Sequence, residues 1–476
     1  MSYSAFQNDE NEINELINAY QNMKNGKSHY FLDEDSFEKI IQYYDEKENL
    51  KEAFTAVEIG LEQFPYSSQL MIKKADILVA TQKYEEALAI IEHAELYDKN
   101  DIDIYTLKIE IFLAMERQEE ANEIFISALA QLTGEDRVEF LFELADVFDD
   151  FEEFEKVFDC LKIIVEENPT NEEALYKICF WTDFTGRFEE SIQIHNAIID
   201  EHPYNEIAWF NLAAAYQGLK LYEKAVDAYQ YAVVINEKFD YAYRNMGDAY
   251  LRLRKYKEAI EVLEKVSELS MPEDVIFEAI GHCHQRLGNN TQARSFYKKA
   301  SHLNPEDSKL YYKIAVTYMA DSQWQNAINF LESALSIHNY SVEYNLAIGE
   351  CKMQLLQYKD ACFFFNKIVS KRSKNVQGWE ALIRCLFKAE LYNDAYTQCE
   401  VALKHLGAKP ILLYYSSAVL YALGKTKQSL HFLETALIAN LKQLKRMLEL
   451  SPEMIRNPLF IDLIGNYKKT NPKKKK

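Results

Sequence analysis

An all-α fold, a solenoid of antiparallel helix pairs, is what this sequence predicts, and three observations carry the prediction. A spacing of 34 residues repeats through nearly all of the 476 positions. Only 13 Gly and 9 Pro punctuate that length, too few for an all-β chain or for Gly-rich cofactor loops. Hydrophobic residues make up 48% and aromatics 13%, ample apolar surface for a core and incompatible with a disordered polyanion.

Before the repeats, Ile13, Leu16, Ile17, Tyr20 and Met23 form an apolar stripe at helical spacing. Residues 1 to 33 are thus expected to hold a capping helix that covers the first pair. From Ala53 the period runs through Ala87 and Ala121 and then, after two inserted residues, through Val157, Ser191, Ala225, Ala259, Ala293, Ala327, Ala361, Ala395 and Ser429. Three residues earlier in each unit stands Leu50, Tyr84, Gln118, Phe154, Phe188, Tyr222, Tyr256, Asn290, Trp324, Tyr358, Tyr392 or Thr426, eight of them aromatic. A small residue lets the second helix of a hairpin approach the first, and an aromatic ring plugs the end of the pair.

Twelve such units cover residues 34 to 443. The insertion at Thr133, Gly134, Glu135 and Asp136 is the one break in period and the natural place for a bend or a subdomain boundary. Unit twelve is degraded, with Ser417 and Ser429 at close-packing positions. Residues 444 to 466 supply capping helices, and a basic tail, residues 467 to 476, closes the chain.

Best formed is the unit with Trp209, Leu212, Ala213, Tyr216, Ala225, Tyr229 and Ala232, followed by Tyr243, Met246, Gly247, Tyr250 and Ala259. Prolines 65, 169, 203 and 305 close second helices. The pattern resembles the tetratricopeptide repeat. That resemblance implies a right-handed superhelical solenoid and a protein-binding scaffold or adaptor, with ligands held in a concave groove lined by positions 2, 5, 9, 12 and 13 of each unit's first helix.

Those positions carry an uneven charge. In units one to five they supply Asp35, Glu38, Asp45, Glu46, Asp76, Asp103, Glu110, Glu139, Asp146, Asp149, Asp150, Glu173 and Asp183, with no base among them. Apolar members include Ile72, Leu113, Phe180 and Phe184. Unit six is uncharged and offers Ile207 and Phe210; Tyr241, Arg244, Arg252, Arg286, Lys309 and Tyr312 follow, then Glu343, Glu350, Glu380, Arg384 and Lys388, and the groove ends on Tyr414 and Tyr421. The whole chain follows suit: residues 1 to 240 hold 52 acids and 19 bases, residues 241 to 476 hold 23 and 34. One sign concentrated along a concave wall focuses potential, so a protein or peptide with a basic segment is the expected partner of the first half. Phe180, Phe184, Phe210 and Tyr241 are expected to serve as aromatic anchors where the sign changes.

Other chemistry finds little support. No Gly-rich phosphate loop or nucleophile elbow occurs, and seven Cys without a CxxC pair make neither a disulfide framework nor a zinc site. His282 and His284 point about 200° apart on a helix and cannot share a metal. Cys283, Cys351 and Cys385 fall where sibling units place core alanines, and His195 falls at a packed aromatic position. Asp146, Asp149 and Asp150 share a helical face but lack the loop carbonyls of a calcium site. No enzyme, cofactor or metal is expected. The acid-capturing clamp known in the resembled family would need donors where Asp248 and Ala279 stand, beside Arg244, Lys309 and Lys313. Nucleic acid is disfavoured because the second half intersperses its bases with Glu. Lys468, Lys469 and Lys473 to Lys476 raise a further possibility, a tail that docks in the acidic groove or links copies into a homo-oligomer. With no basic n-region, apolar h-region or membrane-length run, a cytoplasmic protein is expected.

Overall fold

The computed structural model describes residues 3–25 and 31–470; Lys473 to Lys476 of the tail lie outside them. Among the described residues all regular structure is helical. The chain divides into two compact units, Met1–Glu237 and Lys238–Lys476. The division does not fall at the insertion of residues 133 to 136. Those residues are absorbed by lengthening one first helix to Glu135–Asp150.

In the first unit α1 (Tyr3–Lys24) precedes six pairs. They are α2 (Glu34–Glu46) with α3 (Leu50–Gln63), α4 (Ser68–Ala80) with α5 (Tyr84–Ala94), α6 (Ile102–Ala114) with α7 (Gln118–Gln131), α8 (Glu135–Asp150) with α9 (Phe154–Glu167), α10 (Glu172–Thr185) with α11 (Phe188–Glu201), and α12 (Glu206–Gly218) with α13 (Tyr222–Ile235). The second unit holds α14 (Asp240–Arg252) with α15 (Tyr256–Leu269), α16 (Asp274–Arg286) with α17 (Asn290–Leu303), α18 (Ser308–Ala320) with α19 (Trp324–Ile337), α20 (Val342–Gln354) with α21 (Tyr358–Lys371), α22 (Val376–Lys388) with α23 (Tyr392–Leu406), and α24 (Pro410–Ala422) with α25 (Thr426–Ala439). It ends on a 3-10 turn (Leu441–Gln443), α26 (Leu444–Leu450), a second 3-10 turn (Pro452–Arg456) and α27 (Pro458–Thr470).

Asp, Asn or Ser caps many of the first helices: Asp33 accepts from the Ser36 N–H, Ser67 from Leu70, Asn171 from Ala174 and Asn375 from Gly378. Each first helix then ends in a left-handed residue. The residue at position 15 of all twelve units adopts a positive φ, between 55° at Glu48 and 81° at Gly288. The Glu48 N–H donates to the Asp45 carbonyl and the Asn49 N–H to Tyr44, which satisfies two carbonyls the helix would otherwise leave open. Nine of these twelve positions are not glycine. Left-handed backbone is therefore maintained by the turn's hydrogen bonds and packing against the residue's own preference.

Within pairs, Gly or Ala on the first helix faces a large residue on the second. A methyl group added at Gly349 would lie 2.3 Å from the Phe365 ring, at Gly281 2.7 Å from Tyr297, and at Gly247 2.6 Å from Leu263. Ala53, Ala87, Ala225, Ala259, Ala293, Ala327, Ala361 and Ala395 are completely buried. In the last pair the two serines take over that role with polar contacts: the Ser417 hydroxyl donates to the Ser429 carbonyl at 2.9 Å and the Ser429 hydroxyl to Ser417 at 2.7 Å. At the start, Ile17 and Tyr20 of α1 are buried with Phe37, Ile40, Ile41 and Tyr44, while Ile13, Leu16 and Met23 pack around them.

First helices touch their successors directly in α2–α4, α4–α6, α6–α8 and α10–α12, whereas second helices of the first unit do so only at α9–α11 among the stronger contacts. The first-helix layer is thus the tighter one, and its free face is where the candidate groove residues stand.

Candidate functional site

Asp35, Asp45, Glu46, Asp76, Glu139, Asp146, Asp149, Asp150, Glu173 and Asp183 are exposed, while Glu38, Asp103 and Glu110 are half-buried. Their mutual placement shows in their proton affinities. Crowding by protein atoms raises the Asp76 carboxyl above its ordinary value; Lys73 offsets part of this, and Asp45 on α2 and Asp103 on α6 raise it further. The side chain still touches solvent, so the crowding is partial. Partial burial likewise raises Glu110, with added repulsion from Asp76 on α4 and Asp150 on α8. Burial, then Asp35 and Glu34, raise Glu38.

Four successive first helices therefore bring carboxylates within electrostatic reach of one another. Glu143 of α8 joins them: burial raises it first, Asp103, Glu139 and Asp101 add to the effect, and a hydrogen bond from the Thr106 hydroxyl at 3.2 Å opposes it. It escaped the sequence reading because it occupies position 6, outside the five groove positions. Of the thirteen acids, only Glu173 has a base within ion-pair distance among the described residues, Lys177 at 3.0 Å.

The second unit treats its charges in the opposite way. Arg244, expected to face a partner, makes a two-pronged bond to Glu273 at 2.9 and 2.6 Å. Arg252 lies 3.5 Å from Asp248. Lys313 pairs with Glu278 and Arg384 with Glu350, each pair linking successive first helices. Arg286 donates to the Tyr256 hydroxyl at 3.1 Å, and Lys309 stands exposed. Half-buried Tyr312 stacks on Tyr344 at 5.2 Å, and burial together with Glu343 raises its phenol.

Several groove expectations need correction. Ile72, Leu113 and Ile207 are buried, because the layer tilts those positions into the packing between neighbours. Tyr414 is fully buried and donates to the Asn440 carbonyl at 3.0 Å. There the chain folds back on itself: α26 lies against α22 and α24, and Arg446 holds Glu380 at 3.0 and 2.9 Å. The last stretch of first-helix face is therefore covered by the chain's own C-terminal segment.

The expected aromatic anchors divide. Phe180 and Phe184 on α10 are 61% and 56% exposed, and Tyr241 on α14 is 60% exposed. Phe210 is half-buried with its ring 5.7 Å from Tyr229. Phe180 and Phe184 stack at 6.2 Å, and Phe154 and Trp181 support them at 4.8 to 5.7 Å.

Catalytic candidates remain structural. His195 is completely buried, bonded to the Ser191 carbonyl at 2.7 Å and to Asn211 at 3.1 Å, and burial pushes its pKa down to about 4. Cys283, Cys351 and Cys385 are buried in the core. His282 is exposed whereas His284 is buried. Among the described residues no three metal-ligating side chains are gathered, and no helix is long and apolar enough to cross a membrane.

Family models described as tetratricopeptide repeat match residues 207–239, 242–274 and 276–307. The chain is similar to the C-terminal part of a TPR repeat-containing protein from Cytophaga hutchinsonii at 18% identity, covering 54% of this chain and 99% of that one, with a TM-score of 0.43. A tetratricopeptide repeat protein from Parabacteroides merdae is similar at 20% identity over 52% and 97%, with a TM-score of 0.35. The APC/C hetero-tetramer Cut9-Hcn1 is similar at 14% identity over 81% and 89%, with a TM-score of 0.33. A search of curated proteins returns no match.

Proposed function

We propose that this chain, a tetratricopeptide-repeat protein, is a non-enzymatic scaffold or adaptor whose first unit holds a basic segment of a partner protein on its first-helix face. One observation carries the proposal. The carboxylates of α2, α4, α6 and α8 raise one another's proton affinity and, among the described residues, lack ion-pair partners, whereas the equivalent face of the second unit pairs most of its charges internally. Leaving like charges crowded together destabilises a fold, so their retention favours a role that a cationic ligand fulfils. The internal pairing of Arg244, Arg252, Lys313 and Arg384 also speaks against a phosphate-binding stripe on the second unit.

Titration of the full chain with hexalysine at low and high salt tests the reading. Binding should weaken steeply with salt, and the triple change D76N, E110Q and D150N should cost roughly tenfold in affinity, at about 0.5 kcal/mol per removed charge. Binding that ignores both salt and the triple change would sink the proposal. Changing Lys309 to Ala serves as the control and should leave affinity unaltered.

A further inference from the structure

The protein already binds arginines of its own, and it does so in a recurring way. The Arg187 guanidinium lies 4.1 Å over the Phe158 ring while donating to Asp159 at 2.7 Å. Arg117 lies 4.8 Å over Phe112 and donates to Glu120 at 2.9 Å. Arg294 lies 4.5 Å over Tyr318 and donates to Asp321 at 2.5 Å; here ring and carboxylate stand three residues apart at the end of one helix. In each case a ring face takes the flat cation and a carboxylate takes its N–H groups.

Phe180 and Asp183 repeat the three-residue spacing of Tyr318 and Asp321 on α10, and Phe184 adds a second ring. The two phenyl planes differ by 23°, so they present nearly parallel faces, braced from behind by Phe154 and Trp181. Unlike the three internal sites, this one is empty of cation: among the described residues no Lys or Arg lies over either ring, and Asp183 has no base within ion-pair distance. Two large, mostly exposed rings beside a carboxylate, on a face otherwise rich in acids, match a cation in both shape and charge.

We propose that Phe180, Asp183 and Phe184 form a subsite for an arginine side chain of the basic segment. The assignment rests on the binding function proposed above and adds to it the choice of arginine over lysine. A planar guanidinium can stack on a ring and donate sideways to Asp183 at once, whereas a compact ammonium has to choose between ring and carboxylate.

Calorimetric titration of the full chain with hexa-arginine and with hexalysine, at low salt, distinguishes this from the broader reading. The wild type should prefer hexa-arginine by roughly twofold to fivefold, the range expected of exposed cation–π contacts. Phe180→Leu with Phe184→Leu keeps the apolar surface and removes the ring faces, and should bring hexa-arginine down to the hexalysine level without altering helical content or melting temperature. Asp183→Asn, a change at an exposed position, should weaken hexa-arginine more than hexalysine. A wild type without arginine preference, or a preference that survives in the leucine variant, overturns the subsite while leaving the acidic-face reading intact. Failure of both peptides to bind the wild type overturns that reading and the subsite with it.

Discussion

Neutralising Glu110 should make the protein more stable, an unusual outcome for a substitution in a packed array. In Glu110→Gln the side chain keeps its shape and loses the charge that faces Asp76 and Asp150. Two partly screened like-charge contacts, each worth about 0.5 kcal/mol at a protein surface, give a gain of about 1 kcal/mol. For an array of 476 residues that corresponds to about 1 °C in melting temperature. Thermal unfolding followed by circular dichroism, at about 0.02 M and 0.5 M salt, separates the causes: screening should remove the part of the gain that comes from Asp76 and Asp150 and leave the part that comes from burial of the charge. The pH dependence has a definite sign. The Glu110 carboxyl is raised in the folded state, so folding binds a proton there more tightly than the open chain does. The wild-type penalty is full at neutral pH and fades as pH falls through the raised folded value toward the ordinary 4.5. The advantage of the variant should fade with it. A variant that is less stable than the wild type, or a gain that persists unchanged in high salt and at low pH, would refute the electrostatic reasoning.

Leu356, 71% exposed with φ 59°, holds left-handed backbone in the turn after α20; Leu356→Gly should stabilise by about 1 kcal/mol in urea unfolding. Gly349→Ala should cost about 1 to 3 kcal/mol by forcing a methyl group against Phe365, and the neighbouring change Phe365→Leu should recover part of the loss. His195 remains neutral to about pH 4 when folded but protonates near 6.5 when unfolded, so it withdraws stability as pH falls between those values, up to about 3 kcal/mol. His195→Leu should flatten that part of the stability profile even though it lowers stability at neutral pH, where Asn211 loses a partner.

The fold was legible because its determinants are periodic. A small residue every 34 positions and a ring three before it are visible without any knowledge of contacts, and the structure buries those alanines almost entirely. What escaped is instructive for the same reason. The left-handed turn at position 15 recurs in all twelve units, yet its residues run from Glu48 to Leu356 to Gly424 and share no side-chain chemistry. Its cause is the backbone hydrogen bonding that ends a first helix, which the amino-acid alphabet does not spell out. Ser417 and Ser429 erred in the other direction: they read as decay of the pattern, but each hydroxyl finds the other's carbonyl, so the close approach survives with polar partners.

On the proposed binding face, sequence reasoning on charge reaches its end. Counting acids and bases at groove positions distinguished the two halves, but a count treats Asp76 and Glu350 alike. The difference lies in what stands one repeat away: Glu350 meets Arg384 at the equivalent position of the next unit, whereas Asp76 meets Asp45 on one side and Asp103 on the other. A repeat array turns a spacing of about 34 residues into a lateral contact, so the informative comparison is between equivalent positions in successive units. At the end of the face Glu380 finds Arg446 of the C-terminal segment, a partner outside the repeats that no pairing of equivalent positions reveals. Charge that is answered within the array contributes to its own assembly; on the reading proposed above, charge that has no ion pair among the described residues, as from α2 to α8, is what a partner meets.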